Sequence, residues 1–217
     1  METNYDWVKQ IKVIGWDLDG TLYTANSELE REIVSLRNQR VMEALGLGLE
    51  ESIKKYNEVY LKLGSHTKTI TSLGVDGESF FVEVWDQIKL EKYIKPDPKI
   101  NELFKQLSKY RMFLLSNSNT LEQIKKKLGL VGLSVGVFEV IQDTVGLGAV
   151  KPDSKPFEVV MEKMAFGADE AMYVGDRVST DVRGARGVGI KACLVGRESE
   201  EADVCLPTVY DVGKLFS

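Results

Sequence analysis

The stretch IKVIGWDLDGTLY (residues 11–23) decides how this 217-residue chain is read. Ile11, Val13, Ile14 and Trp16 form a short apolar run that breaks off at Asp17. A run of this kind, with no sustained polar alternation, reads as a strand buried on both faces of a parallel sheet. Asp17, Asp19, Gly20 and Thr21 follow it at once. Asp and Gly are turn formers, so two carboxylates stand at the carboxyl end of a buried strand. In an open parallel sheet, ligands bind at those ends.

Outward from this point the period changes. Leu29, Ile33, Leu36, Val41 and Leu45 recur at helical spacing, Ser27 and Glu30 fit a capping box, and Gly46 supplies a stop. A second helix is expected over 50–63, ending at Gly64, and a third or fourth over 77–89, capped by Asp76. Residues 22–95 therefore read as a helical block. From Pro98 the pattern alternates: helix to Lys109, strand 111–116, helix Thr120–Leu128 closed by Gly129, strand 137–142, helix 154–165, strand 171–176, helix Thr180–Arg186 and strand 190–195. The apolar piece 202–206 and a last helix near 209–216 complete it. Such alternation implies right-handed crossovers. The expected fold class is α/β, a doubly wound parallel sheet with an inserted helical cap. Residues 1–21 and 96–217 form the core and 22–95 the cap.

Composition narrows the chemistry. The chain has one histidine, His66, and two cysteines, Cys193 and Cys205. These cannot build a multi-histidine metal site, a Cys₄ zinc site or a disulfide scaffold. The cysteines read as core or near-core thiols in a reducing compartment. With 33 acidic against 28 basic residues the net charge is −5, which argues against binding a nucleic-acid polymer. No apolar run reaches the ~18–20 residues that span a bilayer, and the charged N-terminal stretch lacks a secretory core. A cytoplasmic location without membrane partners is expected.

The remaining strand ends follow the same pattern as the first. Ser116 and Asn117 follow the apolar strand 111–115, with Ser118 as a rival hydroxyl; adjacency to the strand favours Ser116. Lys151 follows the next, and Lys155 and Lys95 are its rivals. Lys155 falls in a first helical turn, where lysine is usually solvated, and Lys95 precedes the Ser116 strand as a hinge residue. Asp176 ends the strand 171–175, and Asp181 lies five residues on. Clustered carboxylates repel and need a cation, and an all-oxygen donor set suits Mg²⁺ completed by substrate phosphate. A carboxylate beside such a cation can attack phosphorus, a second can move protons, and a lysine and a hydroxyl can hold the phosphoryl oxygens.

DLDGTLY (17–23), Ser116, KPDSKPF (151–157) and GDRVSTD (175–181), in this order, resemble the four motifs of the haloacid dehalogenase superfamily in its phosphatase branch. The helical block resembles that superfamily's helical caps, and the core is similar to its Rossmann-like domain. The resemblance implies that Asp17 is nucleophile and Mg²⁺ ligand. It makes Asp19 the acid/base and, through its carbonyl, a metal ligand. Thr21, Ser116, Asn117 and Lys151 bind phosphate on this reading. Asp176 ligates Mg²⁺, and Asp181 stands behind it, orienting the metal shell or Lys151. Asp19 also separates the chain from the superfamily's dehalogenases, which lack a second Asp there. YNEVYLKLG (56–64) and EKYIKPDPKINELFKQL (91–107) are similar to the pyrimidine 5′-nucleotidase-like group, although Gly175-Asp176-Arg177 stands where that group commonly has Asp-Asp-Ser. Arg177 itself suggests no chemistry, and His66 is expected to face solvent or cap a helix.

The expected function is a Mg²⁺-dependent phosphatase of a small phosphorylated metabolite: a nucleotide monophosphate, a sugar phosphate or phosphoglycolate. A phosphomutase using the same phospho-aspartate, or a non-catalytic receiver-like module, are the alternatives. Oligomeric state stays open.

Overall fold

The structure is a computed structural model and describes residues 5–24, 27–117 and 119–217, apart from the side chain of Ser27. Ser27 as a cap and Ser118 as a rival hydroxyl lie outside what is described. Among the described residues, six parallel strands form one sheet: β1 Val13–Trp16, β2 Arg111–Ser116, β3 Val140–Asp143, β4 Ala171–Gly175, β5 Lys191–Val195 and β6 Val204–Leu206. Their spatial order is β3-β2-β1-β4-β5-β6. The order reverses on either side of β1, so its carboxyl end opens into the crevice where the sheet changes direction. Val13 pairs with Arg111 on one side and with Ala171 on the other, which sets all three strand ends level.

The sheet is covered on both faces, as the apolar β1 requires. Ile14 and Trp16 point to one side, with Met112 and Leu114 of β2 and Met172 and Val174 of β4. Helices α5 (Pro98–Gln106) and α6 (Leu121–Val131) close that side through Ile100, Leu103, Phe104, Ile124 and Leu128. Val13, Phe113, Leu115, Tyr173 and Leu194 point to the other side, under α7 (Ser154–Met164) and α8 (Arg183–Gly187). One position takes no side chain: a Cβ on Gly15 would stand 2.1 Å from the Phe113 ring. That ring cannot yield, because Phe166 and Tyr173 stack near it at 5.8 and 5.9 Å.

Among the described residues, four α-helices lie between β1 and α5: α1 Ser27–Leu45, α2 Leu49–Leu63, α3 His66–Ser72 and α4 Gly77–Gln87. Gly64 ends α2 in the left-handed region, and Asp76 caps α4 by accepting from Glu78 N–H at 3.1 Å. Helix α3 was not expected, because seven residues rich in Thr carry no hydrophobic period; Ser65 caps it. Contacts tie this insertion to the core rim. Ser179 donates to the Gly64 carbonyl at 2.8 Å, Lys68 pairs with Asp153 at 2.6 Å, and Gln123 donates to Val82 O and Asp86 at 3.0 and 2.6 Å.

Two helix expectations need correction. Helix α6 runs through Gly129 to Val131 and stops at Gly132, whose φ of 92° makes the left-handed turn; a buried apolar stripe outweighs one interior glycine. The segment after β4 is a π-helical turn, Val178–Val182, followed by the short α8. No helix among the described residues is long and apolar enough to cross a membrane.

Gly15→Ala is expected to overpack this layer and lower stability by about 1–3 kcal/mol, read as a fall in the urea midpoint. Adding Phe113→Leu recovers part of that loss; no recovery would show that the ring is not the obstacle.

Candidate active site

Four loops meet at the carboxyl ends of β1, β2, β3 and β4, and Lys151 joins them. Its ammonium is 2% exposed and touches four oxygens: Asp17 Oδ1 at 2.7 Å, Asp181 Oδ1 at 2.8 Å, Tyr173 Oη at 2.7 Å and the Leu115 carbonyl at 3.1 Å. Burial opposes its charge, but Asp17 and Asp181 outweigh burial and hold the Lys151 pKa well above the ordinary lysine range. Asn117 fixes the backbone that carries it: its amide donates to Lys151 O at 3.1 Å and accepts from Lys151 N–H at 2.9 Å. The Asn117 side chain thus serves Lys151.

Asp17 is buried directly after β1, its N–H bonded to Val174 O at 2.9 Å. Thr21 donates to its second oxygen at 3.2 Å. Asp181 takes the Arg177 N–H on its other oxygen at 3.0 Å. Carboxylate oxygens of Asp17, Asp176 and Asp181 lie within 4.8 Å of one another. Burial raises the pKa of both Asp17 and Asp176 above the usual carboxylate range, and Asp181 adds to the rise in each. Asp176 Oδ1 is buried with no hydrogen-bond partner. An orphaned oxygen among mutually repelling carboxylates fits a hard cation. Gly20 makes the approach feasible: its φ is 94°, and a Cβ there would stand 2.6 Å from Asp176 Oδ2.

Asp19 belongs to a different group. Its carboxylate accepts from Tyr23 Oη, from Asn119 Nδ2 at 2.7 Å and from Lys127 Nζ at 2.7 Å. Burial works against its charge, yet these donors, Lys127 foremost, hold it below the usual range. Asn119 also donates to Ser116 Oγ at 2.9 Å, so it links the end of β2 to Asp19. Lys127 itself is fully buried, with its ammonium 3.2 Å from the centre of the Trp85 ring of α4. The carboxylate cluster is therefore Asp17, Asp176 and Asp181, with the Asp19 side chain held apart.

Asp17, Asp19, Ser116, Lys151, Asp176 and Asp181 open into one cleft of about 850 Å³ between the sheet ends and the helical insertion. The family model for haloacid dehalogenase-like hydrolases matches residues 11–189. The chain belongs to that family. It is 24% identical over 204 residues to a glyceraldehyde 3-phosphate phosphatase of Methanothermobacter thermautotrophicus, covering 89% of each chain. It is 28% identical over 215 residues to a phosphoglycolate phosphatase of Aquifex aeolicus, covering 95% of this chain and 97% of that one. The crystal structure of a HAD phosphatase from Thermococcus onnurineus matches with a TM-score of 0.64 at 24% identity, covering 95% of this chain and 98% of that one, and speaks for the fold.

Three features of this haloacid dehalogenase-like hydrolase were not foreseen. Lys127 sits in a run of three lysines, 125–127, which reads as a solvated face; only the fold selects the one that turns inward. His66 is not solvent-facing. Its ring stacks on Tyr60 at 4.4 Å, shares a hydrogen bond with Tyr56 and lines the cleft. Arg177 also lines the cleft, where its sequence position suggested nothing. The remaining rivals sit as expected: Lys155 is exposed and bonds Leu147 O at 2.6 Å, and Lys95 is exposed on Glu91 O at 2.7 Å. Cys193 is buried, Cys205 half-buried, and both are free thiols.

Two outcomes follow. Lys127→Met removes a donor from Asp19 and Asn119 and is expected to cost about 1–3 kcal/mol. Lys126→Met, which breaks only an exposed pair with Glu91, should cost at most ~1 kcal/mol. Equal urea midpoints for the two variants would contradict this. The pKa of His66 is lowered to about 3 by burial, with Arg177 and Arg37 adding to it. Its unfolded form gains a proton below about 6.5, so stability should fall as pH drops from there, by at most about 1.4 kcal/mol per pH unit. His66→Gln should flatten the denaturation profile between about pH 6.5 and 5; an unchanged slope would exclude His66 as the source.

Proposed function

We propose that this haloacid dehalogenase-like hydrolase is a Mg²⁺-dependent phosphatase of small phosphorylated metabolites that works through an aspartyl phosphate on Asp17. One observation carries the reading: a buried Asp17 gripped by Lys151 beside the partnerless Asp176 Oδ1. The phosphatase names of the relatives support it.

Asp17 is the nucleophile. Lys151 holds one of its oxygens, which fixes the plane of the carboxylate at the strand end. Attack forms a bond from a carboxylate oxygen to phosphorus and breaks the bond from phosphorus to the ester oxygen. Asp19, once it has taken up a proton from solvent, hands that proton to the departing oxygen. In the second step Asp19 takes a proton from water, the water oxygen bonds to phosphorus, and the Asp17–phosphorus link breaks to release phosphate. The structure holds Asp19 as a carboxylate, the form that the second step needs. Ser116 and Lys151 bind the phosphoryl oxygens as charge builds on them. Asp17 and Asp176, with the Asp19 backbone, hold the Mg²⁺, which neutralises the crowding of carboxylates and phosphate. The helical insertion acts as the cap that excludes water from the cleft.

Asp17→Asn should lower turnover of p-nitrophenyl phosphate by ~10³-fold or more, with the denaturation midpoint retained. Chelation should silence the wild-type chain and Mg²⁺ restore it. Full Mg²⁺-dependent activity in the Asn variant would sink the mechanism.

A further inference from the structure

The cleft has a second charged end. Arg37, on α1, lies 4.2 Å over the Tyr56 ring and donates Nε and Nη2 to the neutral amide oxygen of Asn38 at 3.1 and 2.8 Å. Arg177 comes from the opposite, core side, with Nε 4.0 Å from Asp176. Arg197, from the end of β5, lines the same wall and makes no ion pair among the described residues. His66 lies in this wall, and both Arg37 and Arg177 disfavour its charge. Glu30 also lines this end. With Asp176 beside Arg177, two acids face three guanidinium groups there, so the wall keeps a net positive charge toward a ligand.

A guanidinium set over an aromatic ring, bonded to a neutral amide, keeps its charge available. Its planar fork matches a carboxylate. Arg177 stands next to a member of the carboxylate cluster, so the group it meets is only a few bonds from the phosphorus. We propose that this end takes a carboxylate on the leaving group, with Arg37 and Arg177 as its ligands, so that the preferred substrate is a short phosphorylated hydroxy acid. This rests on the phosphatase reading and deepens it. It also separates the two activities named among the relatives: a glyceraldehyde phosphate ends in a neutral aldehyde, whereas phosphoglycolate carries the second anion.

The test compares phosphoglycolate with ethyl phosphate, in which a methyl group replaces the carboxylate, with glyceraldehyde 3-phosphate and p-nitrophenyl phosphate run alongside in Mg²⁺. The wild-type kcat/KM should favour phosphoglycolate over ethyl phosphate by at least ~10-fold. Arg37→Gln and Arg177→Gln should each cut that ratio by ~10-fold or more, chiefly through KM for phosphoglycolate. The ratio is internal to each variant, so a loss of folded protein cancels from it. A wild-type ratio within about twofold, or a ratio untouched by both substitutions, overturns the inference while leaving the phosphatase reading intact. Hydrolysis of none of the four esters overturns both.

Discussion

Everything at the rim of the sheet is arranged around the ammonium of Lys151. A buried cation of this kind is tolerated only when its surroundings are oxygen and negative. Here two carboxylates, a phenol and a main-chain carbonyl meet it. The contacts come from β1, β2, β4 and the turn after β4, so the ion fastens together the ends of three adjacent strands. Asp17 is held at one fixed position, with Lys151 on one oxygen and the longer Thr21 contact on the other. Asp176, which Lys151 does not reach, is left with an unpaired oxygen beside Asp17. The attraction that orders the site thus stops short of satisfying it, and an oxygen without a hydrogen-bond partner is left among three carboxylates.

Much of this was legible in the sequence because it is written in local patterns. A parallel strand buried on both faces must be apolar throughout, so IKVIGW announces itself and the acids at its end cannot be placed elsewhere. Ser116 and Asp176 stand out by the same rule, as polar residues at the ends of apolar runs, whereas Lys151 and Asp181 lie further along the loops and stand out by their motifs. The helical insertion was visible as a change of period. What stayed hidden depends on tertiary placement. Lys127 is one of three consecutive lysines, and only the rotation of α6 decides which faces Asp19. The short α3 has no apolar stripe, so nothing in its residues points to His66 lying in the wall of the cleft.

The carboxylates occupy two environments, and the difference follows from their partners. Burial raises Asp17 and Asp176, and the nearby Asp181 carboxylate adds to the rise in each, so both are held above the ordinary range. Asp19 has Lys127 and two neutral donors to itself, and lies below it. Two aspartates two residues apart therefore take up protons with different ease, Asp17 more readily than Asp19.

The insertion leaves the core after Tyr23 and returns ahead of α5, at a point where the chain makes no strand. Descent can therefore alter the wall that meets the leaving group while β2 to β6 and their loops pass on unchanged, and a single catalytic apparatus can be fitted to successive nutrients. The freedom has a boundary. Gln123 and Lys127 of α6 grip Val82, Asp86 and Trp85 of α4. The insertion thus meets the core through a carbonyl, an acid and an aromatic ring, and a change in any of them bears on Lys127 and, through it, on Asp19.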